Sequence, residues 1–119
     1  MSFTNALARI AAKVPETRVL MIVGTDGIPI EKLVREADPN LETIAAEYTS
    51  LLRSSLAAAN DTGLGDLHEL YIVTTKATTL MVEITRDYFL FALLAPGAII
   101  GRARFMLRTI GATLEGEFL

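Results

Sequence analysis

The chain has 119 residues, 51% of them hydrophobic and 21% charged, and fourteen acidic side chains against eleven basic ones give a net charge of -3. That composition excludes intrinsic disorder, which needs low hydropathy and a high net charge, and the length suits one compact domain, residues 1–119, with a core that needs no staples. The acidic balance argues against nucleic acid as a partner, since phosphate neutralisation needs a basic face, and the lack of any cysteine removes disulfides, thiolate nucleophiles and cysteine-bound metals.

Met1 to Asn5 shows no basic region ahead of a long apolar run, so no signal peptide is expected. Phe3, Ala6, Leu7, Ile10, Ala11 and Val14 then recur at helical spacing, with Ser2 or Thr4 as the cap and Pro15 as the stop. Arg18 to Val23 holds five apolar residues in a row, which suits a strand covered on both faces. Gly24-Thr25-Asp26-Gly27 reads as a turn, and Ile28 to Val34 as the second arm of a hairpin. Pro29 removes a ladder donor, which places this arm at a sheet edge or beside a bulge.

Asp38-Pro39-Asn40 breaks the chain, and Asn40 is the expected cap of a long helix over Leu41 to Ala59. Its apolar stripe is Leu41, Ile44, Ala45, Tyr48, Leu51, Leu52, Ser55, Leu56 and Ala59, and Asn60 to Gly63 is the stop. Leu67 to Thr75 is a third strand, with Leu70 and Ile72 on one side and Glu69, Tyr71 and Val73 on the other. A turn at Lys76-Ala77-Thr78 leads to a fourth strand, Thr79 to Thr85, alternating Leu80, Val82 and Ile84 against Met81, Glu83 and Thr85. Tyr88 to Leu94 is almost wholly apolar and is placed at the centre of the sheet. The run from Tyr88 to Ile100 is too short to span a bilayer, which takes about 20 residues, and Pro96-Gly97 interrupts it. A soluble, cytoplasmic protein without a membrane span is expected. A last helix carries Ile99, Ile100, Ala103, Met106, Leu107, Ile110 and Leu114. The order α-β-β-α-β-β-β-α predicts an α/β (α+β) sandwich, a five-stranded antiparallel sheet between helices.

The inventory for chemistry is sparse, and no cofactor or metal is expected. His68 is the only histidine, and its neighbour Glu69 points to the opposite face of a strand. Neither glycine-rich segment, Gly24 to Gly27 or Gly63 to Asp66, carries a phosphate-loop or dinucleotide pattern. Ser50, Ser54 and Ser55 lie on a helix outside any nucleophile elbow. A catalytic site of its own is therefore not expected. The long helix is more informative. Beside its core stripe runs a second row containing Ala46, Ser50, Ser54 and Ala57, small residues that let another helix approach closely.

The Arg18 to Ile30 hairpin, the long Ala/Ser-rich helix and the segment Leu90-Phe91-Ala92-Leu93-Leu94-Ala95-Pro96-Gly97-Ala98-Ile99-Ile100-Gly101-Arg102-Ala103-Arg104 together resemble the roadblock/dynein light chain family, including its bacterial MglB-like members. The resemblance covers nearly the whole chain and implies a profilin-like roadblock fold. It implies a homodimer, or a dimer with a related roadblock chain, in which third strands pair edge to edge and second helices pack antiparallel. Ala46, Ser50, Ser54, Ala57, Leu70 and Ile72 are then the expected dimer contacts. It also implies a small Ras-like GTPase as partner, with Glu42, Thr43, Glu47 and Arg53 as candidate contacts and any stimulation of GTP hydrolysis made without a donated arginine. The alternatives are a structural light chain that assembles larger complexes, or a small-ligand sensor built on His68, Tyr71 and Tyr88.

Overall fold

The computed structural model describes residues 1–118. In chain order the elements are α1 (Phe3–Lys13), β1 (Thr17–Gly24), β2 (Pro29–Val34), α2 (Leu41–Asp61), β3 (Glu69–Val73), β4 (Thr78–Thr85), β5 (Tyr88–Leu94) and α3 (Ile100–Glu115), closed by a 3-10 turn at Gly116–Phe118. The five strands form one antiparallel sheet in the order β2-β1-β5-β4-β3. β5 occupies the centre, as its unbroken apolar run requires.

The Ser2 hydroxyl accepts the Asn5 amide at 3.1 Å and caps α1. The β1–β2 hairpin turns through Gly27, whose φ of 91 is the left-handed region open to glycine, while the Ile28 amide donates to Asp26 Oδ1 at 3.0 Å. Pro29 falls on the edge strand and beside a register shift between Ile22 and Val23, so its missing donor leaves no gap in the ladder.

Strand alternation divides the core in two. Leu20, Ile22, Leu80, Val82, Leu90, Ala92 and Leu94 face α1 and α3. Val19, Met21, Val23, Met81, Phe89, Phe91 and Leu93 face α2, with Leu70 and Ile72 packed at the margin. α1 and α3 run antiparallel: the Phe3 and Phe118 rings stack at 5.2 Å and the Met1 ammonium meets Glu117 at 3.0 Å.

Several boundaries differ from the sequence reading. Asn40 makes no side-chain cap bond. The Asp38 carboxylate takes the Asn40 amide at 2.8 Å instead, so an Asx turn one step earlier starts the helix. α2 extends to Asp61 and ends in a Schellman motif, with Leu64 N–H bonding Ala59 C=O and Gly63 N–H bonding Asn60 C=O. Its buried stripe includes Thr49, fully enclosed above the hairpin, while Leu51 is 44% exposed. A Cβ on Gly27 would lie 3.9 Å from the Thr49 methyl, an ordinary contact distance, so α2 rests on the hairpin turn at this point. β3 begins at Glu69, not Leu67, and its hairpin closes on a Thr74 N–H to Ala77 C=O bond, so Thr75 and Lys76 are the turn and Thr78 is already in β4. Ile99 stands outside α3 as its N-cap residue and is 57% exposed.

Gly111 lies in the interior of α3, where glycine weakens a helix by about 1 kcal/mol relative to alanine. A Cβ there would meet Glu83 C=O at 3.5 Å and Leu90 Cδ1 at 3.7 Å, ordinary contact distances. Gly111→Ala is expected to stabilise the fold by about 0.5–1 kcal/mol, read as a higher urea midpoint at unchanged slope. A lower midpoint would show that the added methyl disturbs the packing of α3 on β4 and β5.

Candidate functional site

Twenty-one residues of α2 lie across the sheet, and the helix turns one row of small side chains away from it. Ala46, Ser50, Ser54 and Ala57 are all exposed, as are Glu42, Thr43 and Glu47 beside them. The result is an outer helix face with little side-chain relief, bordered by carboxylates. Arg53 is exposed too, but its Nη1 donates to the Thr25 carbonyl at 2.7 Å, tying α2 to the β1–β2 hairpin. Leu70 and Ile72 do not join the outer face. They are half-buried under α2 and belong to the core, so β3 presents its backbone, not these side chains, at the edge.

The sheet has two free edges, and they differ. The ladder bonds Glu83 N–H to His68 C=O and Thr74 N–H to Ala77 C=O fix the parity of β3: even-numbered residues face β4, so Glu69, Tyr71 and Val73 direct their backbone groups outward. Val73 is 65% exposed, and β3 contains neither lysine nor proline. At the other edge, β2 carries Pro29, Lys32 and the neighbouring bulge, the devices by which sheets resist strand addition. One edge is guarded and the other is open.

On the opposite face of β3 lies an ion cluster. The Arg104 Nε–H donates to Glu69 Oε1 at 3.1 Å and its Nη2 to Glu69 Oε2 at 3.2 Å, with Arg108 Nε 3.7 Å from the same carboxylate. Burial opposes ionisation of Glu69, but the bonds from Arg104 and the Tyr71 phenol and the charges of Arg104 and Arg108 outweigh it and hold the carboxyl below its ordinary value of 4.5. Burial and the adjacent Glu69 hold the Tyr71 phenol above its own ordinary value. For a carboxylate depressed in the folded state, the stabilisation is complete above the ordinary value of 4.5 and fades as the pH falls through the lower folded value. Glu69→Gln should therefore flatten the loss of stability on acidification, and coincident acid profiles for the two proteins would contradict the cluster. No local pattern marks it in the sequence, where Glu69 and Arg104 stand 35 positions apart.

The C-terminal halves of α2 and α3 flank an open groove of about 820 Å³ over the end of β4, where β3 no longer runs. Arg53, Arg86 and Arg108 line it together with Asp66, Glu83 and Glu115, so interleaved charge selects neither cation nor anion. His68 reaches it with Nδ1 2.9 Å from Glu83 Oε1, a cross-strand partner that the sequence reading missed. Tyr71 and Tyr88 do not join His68. Tyr71 stands beside Glu69, and Tyr88 stacks on Phe118 at 4.5 Å. Among the described residues no three His, Asp or Glu side chains gather as metal ligands, and no helix is long and apolar enough to cross a membrane.

A family model described as the Roadblock/LC7 domain matches residues 5–95. Among solved structures, a Roadblock/LC7 domain from Streptomyces avermitilis superposes with a TM-score of 0.86 at 14% identity, covering 99% of this chain and 98% of that one. Myxococcus xanthus MglB gives 0.84 at 15% identity, with the same two coverages. MglC from Myxococcus xanthus gives 0.70 at 26% identity over 98% of this chain and 99% of its own. A search of curated protein sequences returns no significant match.

Proposed function

The chain belongs to the Roadblock/LC7 domain family, and from that membership we propose that it is a non-catalytic, cytoplasmic dimeric regulator that binds a small Ras-like GTPase. The observation that carries the reading is the open β3 edge on a sheet whose other edge is guarded, combined with a smooth outer face on α2. Antiparallel pairing of β3 with its copy would extend the sheet through the outward backbone groups of Glu69, Tyr71 and Val73. The α2 helices of the two copies would then close over the seam, where Ala46, Ser50, Ser54 and Ala57 permit close approach. Leu70 and Ile72 would support that contact from below by fixing α2 on β3. Glu42, Thr43 and Glu47 would rim the platform offered to the GTPase.

Arg53 fits a positioning role at the rim. Its guanidinium is engaged with the Thr25 carbonyl, so regulation by this protein would act on the shape of the GTPase and not through a donated arginine.

Light scattering on the wild type and Ser50→Arg tests the assembly. The wild type should run at twice the chain mass. The arginine, placed where a small side chain is needed, should weaken the dimer by at least about tenfold, roughly 1.4 kcal/mol. Retention by a GTP-loaded Ras-like GTPase should fall with it. A wild type that stays monomeric at high concentration would sink the reading. A dimer that binds no GTPase would leave the structural light chain as the function.

A further inference from the structure

The helical layers on the two faces of the sheet carry opposite charge. α2 holds Glu42, Glu47 and Asp61 against Arg53 alone. α1 holds Arg9 and Lys13 with no carboxylate, and α3 holds Arg102, Arg104 and Arg108 with none before Glu115. In a protein of net charge -3 the α1/α3 layer thus gathers the basic side chains, of which Arg104 and Arg108 are paired with Glu69 and Arg9, Lys13 and Arg102 are not.

The antiparallel packing of α1 on α3 concentrates that charge. The C-terminal half of α1, with Arg9 and Lys13, lies at the same end as Arg102. Of the acids on this face, Glu69 is taken up by Arg104 and Arg108, Glu115 ends α3, Glu117 is held by the Met1 ammonium, and Glu31 receives the Thr4 hydroxyl at 3.2 Å. The carboxylate nearest in sequence to the basic end is Glu16, in the turn after α1. Phe105 is 67% exposed on the outer face of α3. It stands one turn from Arg102 and one turn from Arg108, and Ile99, exposed as well, lies at the start of the same helix.

We propose that the α1/α3 face is a docking surface for an anionic lipid bilayer, with Arg9, Lys13 and Arg102 meeting headgroups and Phe105 and Ile99 entering the interface. Charge complementarity carries this assignment: the apolar faces of α1 and α3 are used by the core, and what they leave outside is a basic cluster beside an exposed aromatic, which anionic headgroups attract. The lipid is favoured over an acidic protein because Arg9, Lys13 and Arg102 make no hydrogen bond or ion pair among the described residues. Free side chains can follow a fluid counter-surface, where each basic residue near anionic lipid contributes about 1 kcal/mol. The proposal stands apart from the GTPase reading. If two copies do pair through β3, the two-fold axis is normal to the sheet, so both basic faces lie on one side and the platform on the other.

Co-sedimentation of the full chain with vesicles tests this. Binding is expected to phosphatidylcholine vesicles containing phosphatidylserine, weakening with salt, and not to phosphatidylcholine alone. Arg9→Glu with Arg102→Glu should lower affinity at least about tenfold, and Phe105→Ala should lower it without altering the salt dependence. Arg9→Lys with Arg102→Lys keeps the charge and should bind within about twofold of wild type. Lys32→Glu, a single charge reversal at the β2 edge, should also bind within about twofold of wild type. No binding to the anionic vesicles, or equal loss in Lys32→Glu, would overturn the proposal. So would loss in the lysine pair, which would show that the vesicles are bound through guanidinium geometry and not through charge.

Discussion

Phe91→Ala is expected to cost about 3–5 kcal/mol, a third or more of the total stability of most domains of this size. The ring is fully buried in the central strand, with Met21 and Met81 opposite it in the neighbouring strands. Tyr48 of α2 packs above it at 6.4 Å between ring centroids. Ladders on both sides hold the backbone of β5, so the sheet cannot close over the missing ring, and cavity adds to lost transfer energy. The loss also falls on α2, which rests on this ring through Tyr48. Urea unfolding should show a much lower midpoint at an unchanged slope. Truncation of Val73, 65% exposed on β3, should change stability by less than about 0.5 kcal/mol. A Phe91→Ala cost near that of Val73→Ala would mean that the packing on this face has been misread.

The second large effect concerns assembly. Val73→Pro is expected to leave the folded monomer intact and abolish dimerisation. The ladder parity of β3 turns the Val73 N–H outward, away from β4, so proline removes no internal bond and deletes one donor from the open edge. Val34→Pro is the matched control on β2. There the bonded register runs through Leu33 and Arg35, with Arg35 N–H donating to Arg18 C=O, so Val34 N–H also points outward. That variant should stay dimeric. If Val34→Pro splits the dimer and Val73→Pro does not, the paired edge is β2 and the proposed platform is wrong. If both remain dimeric, helix contact alone joins the copies.

What the sequence could disclose followed the range of the interaction involved. The central position of β5 was legible because burial on both faces demands an apolar residue at every step. The edge position of β2 was legible because Pro29 lacks a donor. The helical periodicity of α2 was clear, but its rotation was not. Thr49 is buried and Leu51 half exposed because the helix settles on the hairpin, with the Thr49 methyl against the turn at Gly27. Asn40 looked like a cap, and Asp38 outcompeted it by a turn that composition cannot distinguish. Alternation set Leu70 and Ile72 together on one side of β3, yet only the packing shows that this side is roofed by α2. The Glu69–Arg104 and His68–Glu83 pairs join residues brought together by topology alone, and the charge segregation between the helical layers becomes visible only once the layers are known.

The strand order also shapes how the protein is made. β1–β2 and β3–β4–β5 are two local meanders, and a single ladder joins them, from Thr17 opposite Leu94 to Gly24 opposite Tyr88. That seam spans most of the chain, so during synthesis β1 must wait for the last strand to emerge before it finds its second neighbour. Until then both meanders present an apolar edge, and a stalled ribosome or a truncation ahead of Tyr88 would release an aggregation-prone chain. Closing the seam is the slow, long-range step. Substitutions in its ladder, such as at Leu20 or Ala92, should act on the folding rate, while substitutions at the outer edges should act mainly on unfolding.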